Sequence, residues 1–386
     1  MNMHASQPSS ATSLATPITI QRPQVIEFGA GTAPLAGRWA AAQGFRRILV
    51  VADAFNAGRV ETLELTGDVT VFGKVKPEPD VPNLDAALAL AEEVKPDLVI
   101  GFGGGSAMDL AKLVAVLPGS GQTVHEVVGP EKVRAKGAAL MQVPTTSGTG
   151  SEAGTRALVT DPATQNKLAV QSLYMLADIA IIDPALTLTV PAAVTAATGV
   201  DAMAHCVEAF TSKKAHPLID MYALEGTRLV GRFLGRAIAD GSDIEARAGL
   251  SLASLYGGFC LGPVNTAAGH AVAYPLGTRH HIAHGAANAL IFPHTLAFNA
   301  PVAPEKTMAI LAALGLNGIS REREVFEASH RWCADLGCEM KLSALNVPRD
   351  DLPVMASEAH AIRRLLDNNP RDISREEILA IYEEAY

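Results

Sequence analysis

Asp97-Leu-Val-Ile-Gly-Phe-Gly-Gly-Gly-Ser-Ala-Met-Asp-Leu-Ala-Lys112 decides how this chain is read. Its first six residues form a short apolar run with the character of a strand buried on both faces, as in a parallel sheet. Gly103, Gly104 and Gly105 follow directly, and an Ala/Leu-rich helical stretch follows them. Without side chains, three glycines let backbone N–H groups approach a phosphate at the positive end of a helix. Ser106 is placed to cap that helix. The spacing is not GxGxxG, and a glycine turn after a strand is common in α/β chains, so alone it leaves phosphate binding and a plain turn equally open.

Working outward, the same alternation of buried strands and helices continues on both sides. Toward the N-terminus, Arg46-Arg-Ile-Leu-Val-Val-Ala-Asp53 is an apolar run ending in a carboxylate. Val69 to Val75 reads as a strand, Lys76 to Pro82 as an extended proline-rich loop, and Leu84 to Val94 as a helix. Pro34 to Gln43 reads as a helix, and the alternation of Ile18, Ile20, Val25, Ile26 and Phe28 predicts a β-hairpin over 18–29. Toward the C-terminus, the strand Ala138 to Val143 runs into Pro144-Thr-Thr-Ser-Gly-Thr-Gly-Ser-Glu152. In isolation this is a Ser/Thr/Gly loop. It is also a second small-residue loop beyond a strand end, where open parallel sheets bind ligands, and two such loops strengthen a nucleotide reading. Lys167 opens the run Leu168 to Val170, and Ala177 to Ile182 ends at Asp183-Pro184.

Near residues 184–191 the pattern changes. Helical periodicity dominates from Pro191 to Tyr386, over Ala192–Thr211, Pro217–Ala239, Asp243–Leu261, His284–Asn299, Pro304–Leu314, Arg321–Leu336, Asp350–His360 and Ser374–Glu384. Ser374 and Glu377 have capping-box spacing. The expected organisation is a tail over 1–17, an α/β domain over 18–190 and an all-α domain over 191–386. The 386 residues are 48% apolar with a net charge of −9 and no basic cluster, which argues against nucleic acid or an anionic membrane as partner. No apolar run reaches the roughly 18–20 residues of a membrane span. The tail lacks a signal-peptide pattern, and Cys206, Cys260, Cys333 and Cys338 show no paired spacing, so reduced thiols in a cytoplasmic protein are expected.

The helical half carries the chemistry. In Thr198-Gly-Val-Asp-Ala-Met-Ala-His205, Asp201 and His205 are four apart and share a helix face. Such a pair is often a helix-surface hydrogen bond, but here its surroundings are apolar. His270 and His284 lie further on in similar settings, and one carboxylate with three imidazoles can enclose a divalent cation and leave a position open. The other histidines need no ligand role. His125, His216, His330 and His360 read as surface residues, His280 and His281 as loop residues between the presumed ligands, and His294 as a peripheral candidate.

These pieces, taken together, resemble the iron-containing (group III) alcohol dehydrogenase family. The match rests on Gly103-Gly-Gly-Ser106 with Asp109 and Lys112, Pro144 to Glu152, Asp183-Pro184, Gly199 to His205, His270 to Gly277, His284 to Ala289, Asn369-Pro-Arg371 and Ile381 to Tyr386. The resemblance implies a dinucleotide-binding α/β domain and a helical domain of dehydroquinate-synthase-like architecture, with the active site between them. It implies that Asp201, His205, His270 and His284 bind Fe²⁺, or sometimes Zn²⁺. It assigns the cofactor to the loops holding Gly103, Gly104, Gly105, Ser106, Asp109, Thr145, Thr146 and Thr149, with Lys167 near the nicotinamide ribose. Asp53 matches the position that favours NAD. Many members have a histidine four after the third ligand; Tyr274 stands there and becomes the candidate proton relay. The activity implied is reversible hydride transfer between a small alcohol and NAD, in a homodimer. An NAD(P)H-dependent reductase or transhydrogenase acting on an oxo-acid such as maleylacetate is the alternative, with Arg279 as its one basic candidate. A dehydroquinate-synthase-like lyase would need more Lys and Arg, and a non-enzymatic NAD-binding protein would leave the histidines without purpose.

Overall fold

The structure, a computed structural model, describes residues 14–164, 166–319 and 321–386. The expected tail over 1–17 lies largely outside them. The first half is built on strands β1 (Val25–Phe28), β2 (Arg47–Ala52), β3 (Asp68–Phe72), β4 (Leu98–Gly103), β5 (Gly129–Pro130), β6 (Ala139–Pro144), β7 (Arg156–Asp161), β8 (Asn166–Gln171) and β9 (Ile179–Ile182). Helices α1 (Leu35–Gln43), α2 (Ala54–Ala57), α3 (Val81–Val94) and α4 (Gly105–Val114) lie among them.

Six strands make one parallel sheet in the order β1-β9-β6-β4-β2-β3. Its central strands are apolar on both faces because both are covered. Ile48, Val50, Ile100, Phe102, Met141 and Val143 pack on one side with Ala36 and Ala40 of α1. Leu49, Val51, Val99 and Leu140 pack on the other with residues of α3 and α4. That explains the continuous apolar runs in place of alternation. The chain passes from β2 outward to β3 and then back across β2 to β4, so the winding reverses between β2 and β4. A doubly wound sheet opens its ligand crevice at such a point, beyond the carboxyl ends of the two strands. Those ends are Asp53 and Gly103.

Two expectations are corrected here. Residues 18–29 form no hairpin: β1 is a single strand that pairs in parallel with β9, so its alternation reflects an edge strand half-covered by the sheet's end. Ser106 is not the cap of α4. Gly104 is the N-cap and makes no side-chain cap bond. A β7–β8 antiparallel pair, joined by β5, forms a small second sheet beside the first.

No strand follows Ile182 among the described residues. The second half consists of α5 (Ala192–Thr211), α6 (Pro217–Ala239), α7 (Ile244–Leu261), α8 (Ala268–His280), α9 (His284–Asn299), α10 (Pro304–Ala313), α11 (Glu322–Asp335), α12 (Leu352–Ala361), α13 (Arg363–Leu366) and α14 (Arg375–Glu384). Helix α5 is the centre, buried from Gly199 to Thr211. Small residues set its close contacts: a Cβ on Gly199 would fall 2.4 Å from Leu234 Cδ1 of α6. Helix α14 has the expected capping box, with Ser374 and Glu377 each accepting from the other's backbone N–H. Helix α8 escapes sequence periodicity because it is buried almost all round its first two turns. Among the described residues, no helix is long and apolar enough to cross a membrane. All four cysteines are free.

Candidate metal and dinucleotide site

The two glycine-containing loops meet at the sheet's carboxyl edge. Strands β4 and β6 end level, with Gly103 paired to Pro144, and Thr145 N–H donates to Gly103 O at 2.9 Å. A Cβ on Gly104 would lie 3.3 Å from Thr146 Oγ1, and one on Gly105 would lie 2.7 Å from Thr149 Cγ2. Side chains are therefore excluded where the loops touch, and the start of α4 is left as bare backbone, which suits a phosphate. Gly103 has φ +155, at the margin of the range that glycine alone adopts readily. Asp53 stands beside this turn. It caps α2 by accepting from Asn56 N–H at 3.0 Å, and its Oδ2 accepts from Asn56 Nδ2 at 2.5 Å. Asp109 sits differently from the other loop residues: its carboxylate accepts from Ser151 Oγ at 2.6 Å and Leu158 N–H at 2.9 Å. It braces the second loop from beneath. Lys112, fully buried, helps by donating to Ser151 Oγ and Arg156 O, both at 2.7 Å.

That second loop is also the junction with the helices. Ser147 Oγ lies 3.0 Å from Ser251 Oγ, Gly150 N–H donates to Ser254 Oγ at 3.2 Å, and Gly148 is packed on Thr198 of α5. Glu152 is buried there with Oε2 unpartnered, and burial pushes its carboxyl up to about 7 despite Lys112.

One turn further along α5 from Thr198, Asp201 Oδ1 becomes a point of convergence. His270 Nε2 and His284 Nε2 each lie 3.5 Å from it, and His205 Nε2 lies 3.9 Å away. Asp201, His270 and His284 offer ligand atoms all within 4.8 Å of one another. His205 joins them by stacking on His270, with ring centroids 4.7 Å apart and planes 19° from parallel. Asp201, His205 and His270 are buried, while the His284 side chain is 32% exposed, so the cluster opens on one side. Three donors within mutual reach, with His205 stacked beside them and His270 Nε2 lacking any hydrogen bond, suit a divalent cation. Burial works against a charged Asp201, but His205, His284 and His270 together hold its carboxyl well below the usual range. Burial lowers His205 to about 4 and lowers His284. For His270 burial is outweighed by Glu208 and Asp201, which raise it to about 10.

Two supporting residues were missed in the sequence. Glu208 Oε1 lies 2.6 Å from His270 Nδ1, and its Oε2 accepts from the backbone N–H groups of Ala267 and His270. Asn288 Nδ2 donates to Asp201 Oδ1 at 2.7 Å and sits 3.2 Å from His284 Nε2. Both follow a candidate ligand at helical spacing, Glu208 three after His205 and Asn288 four after His284, and that spacing was the available signal. Tyr274, one turn beyond His270, has its ring 5.8 Å from that of His284 and 6.5 Å from that of His270. Lys167 reaches the same side. It pairs with Glu78, burial lowers it to about 8, and its charge bears on His284.

Other expectations are revised. His216 is not a surface residue; it is buried and caps α6, its Nδ1 accepting from Leu218 N–H at 3.1 Å. His294 points away from the cluster, to Glu384 and Phe326. Arg279 is paired with Glu358 at 2.7 Å, which weakens it as a substrate contact.

A doubly wound sheet with bare glycine turns at its crevice faces a helical domain that gathers Asp201, His270 and His284 with His205 beside them, an arrangement that suits a dinucleotide and a cation. Comparison with known proteins gives the family. Residues 23–184 match the iron-containing alcohol dehydrogenase model, and residues 195–386 match that of the Fe-containing alcohol dehydrogenase family, C-terminal. The chain is similar to long-chain-alcohol dehydrogenase 1 of Geobacillus thermodenitrificans, 39% identical over 82% of each chain. Among solved structures it is similar to a 1,3-propanediol oxidoreductase (TM-score 0.91, 31% identity, covering 96% of this chain and 100% of that one). It is similar too to the sulfoacetaldehyde reductase of Bifidobacterium kashiwanohense in complex with NAD⁺ (TM-score 0.85, 27% identity, covering 96% and 99%). The chain belongs to the iron-containing alcohol dehydrogenase family and is an alcohol/aldehyde oxidoreductase.

Proposed function

We propose that this enzyme interconverts a small alcohol and its aldehyde or ketone by hydride transfer with NAD, using one divalent cation held by Asp201, His205, His270 and His284. The observation that carries the reading is the convergence of three imidazole Nε2 atoms on Asp201 Oδ1, one helical turn from Thr198, on which the second loop packs at Gly148. The cation would supply Lewis-acid polarisation of the substrate oxygen, and nicotinamide the hydride acceptor or donor.

The chain's own residues do the rest. Glu208 fixes the His270 ring so that Nε2 faces inward, and Asn288 orients Asp201. The backbone at Gly104 and Gly105 receives the cofactor pyrophosphate, with Thr145, Thr146 and Thr149 facing it across the loop contact. Asp53, at the end of β2, accepts from the adenosine ribose and disfavours a 2′-phosphate, which is why NAD is assigned over NADP. Tyr274, in hydroxyl-bearing place of a histidine, passes the proton between the reacting oxygen and solvent. Helices α5, α8 and α9 exclude water from three sides of the cluster. Iron is the metal most in keeping with the family; His and Asp ligands accept zinc as well. A homodimer and a cytoplasmic setting complete the reading.

The test is NADH absorbance with a panel of short alcohols and aldehydes, using iron-loaded, zinc-loaded and metal-stripped protein. Turnover that depends on the cation supports the proposal. Equal turnover by the stripped protein contradicts it.

A further inference from the structure

Helices α5, α8 and α9 do not close completely on one another. They leave a cavity of about 20 Å³ whose lining includes Glu208, Gly269, Asn288 and Thr295. A single water needs roughly 10–15 Å³ of such space and about two to four polar partners.

Asn288 supplies the first partner. Its Nδ2 donates to Asp201 Oδ1 at 2.7 Å. An ionised carboxylate only accepts, so the amide nitrogen must face Asp201 and the amide oxygen must turn the other way. Asn288 Oδ1 is buried, and among the described residues it has no hydrogen-bond partner. A buried carbonyl oxygen left so is costly. Turning the amide round to relieve it would take Nδ2 away from Asp201.

Glu208 supplies the second partner. A carboxylate has about four acceptor sites. His270 Nδ1 and the backbone N–H groups of Ala267 and His270 face three of them, and one is left. Thr295 supplies the third. It lies seven residues beyond Asn288 on α9, on the same face. Its hydroxyl is held only loosely, 3.3 Å from Ile291 O and 3.2 Å from Phe292 O, and can rotate to another acceptor. Glu208 Oε1 and Thr295 Oγ1 flank a common point: a Cβ on Gly269 would lie 2.7 Å from the first and 3.4 Å from the second. The glycine keeps the space between them open.

We propose that this cavity holds one structural water, which donates to Asn288 Oδ1 and to Glu208 and accepts from the Thr295 hydroxyl. The inference rests on the cation reading above. The water fixes the Asn288 amide in the sense that serves Asp201, and it joins that support to the one behind His270. Thr295 acts through the water and is a positioning residue for the cation site.

The test combines crystallography of the cation-loaded protein with chelator competition, on the wild type, Thr295→Val and Thr295→Ser. Valine keeps the shape of threonine without the hydroxyl, and serine keeps the hydroxyl. Wild-type density should show one peak within hydrogen-bond distance of Asn288 Oδ1, retained in Thr295→Ser and lost in Thr295→Val. Cation affinity should fall about tenfold in Thr295→Val, the lower end for loss of an outer support, and stay near the wild-type value in Thr295→Ser. A wild-type cavity without a peak overturns the proposal, and so does an unchanged affinity in Thr295→Val. Equal losses in the two variants overturn it as well, because packing and not the hydroxyl would then be at work. If the wild type binds no cation, the metal reading falls and the positioning role of Thr295 falls with it, while the density still decides for or against the water.

Discussion

The Glu208 carboxylate holds His270 by two routes at once: Oε1 meets the ring Nδ1 at 2.6 Å, and Oε2 accepts from backbone N–H groups at the start of α8. Helix α8 has no cap of its own at Ala267, so a side chain from α5 serves as one. The same contact turns the His270 ring and places its helix. Glu208→Gln should therefore weaken cation binding by about 10–100-fold, the usual cost of losing a carboxylate behind a metal-bound histidine. Competition with a chromogenic chelator measures it, and an unchanged affinity would show that the contact only caps the helix.

The meeting of Gly105 and Thr149 leads to a prediction about the cofactor. A Cβ at Gly105 would sit 2.7 Å from Thr149 Cγ2, so Gly105→Ala must push the two loops apart. Overpacking of this kind costs about 1–3 kcal/mol, and here the strain falls on the proposed pyrophosphate cradle. The dissociation constant for NADH, from fluorescence titration, should rise about tenfold or more while cation binding holds. Unchanged NADH affinity would place the cofactor elsewhere.

Asp53 offers a test of cofactor choice. It lies at the crevice end of β2, next to Gly103, with its carboxylate steadied by Asn56. Asp53→Ser should lower the ratio of kcat/KM for NAD over NADP by about tenfold or more, because the repulsion of a 2′-phosphate is removed. A wild-type preference for NADP would reverse the assignment.

Much of this was legible because the fold's signals are local. Buried strands such as Ile48–Ala52 and Leu98–Phe102 show as apolar runs, and helices with a wet face, such as α6 and α14, show their period. What escaped was non-local. β1 looks like half of a hairpin until the sheet supplies β9 as its parallel neighbour. Helix α8 has almost no polar face in its first two turns. Ser106 has the chemistry of a cap but follows a Gly104 whose extended backbone already takes that position. Asp201 and His205 were read as a pair from their helical spacing and His270 and His284 from residue type and apolar surroundings, whereas the contacts of Glu208 with His270 and of Asn288 with Asp201 cross between helices.

Glu152 ties pH to stability. Its carboxyl is raised to about 7 in the folded state, above its ordinary value of 4.5, so the folded protein holds a proton that the unfolded chain releases. Stability should therefore fall as pH rises from about 4.5 through 7, by on the order of 3 kcal/mol for this group, and stay low above that. Glu152→Gln removes the ionisation and should flatten this part of the denaturation profile. A wild-type profile that matches the variant's across the interval would show Glu152 ionising freely in the fold.

The account stands on a shared cation at Asp201, and its content per chain is the most direct measure. After loading with Fe²⁺ or Zn²⁺ and desalting, mass spectrometry of the wild type should find close to one metal ion per chain. Asp201→Ala and His270→Ala should each retain almost none while keeping the wild-type circular dichroism and NADH affinity. Full metal content in both folded variants would contradict the account.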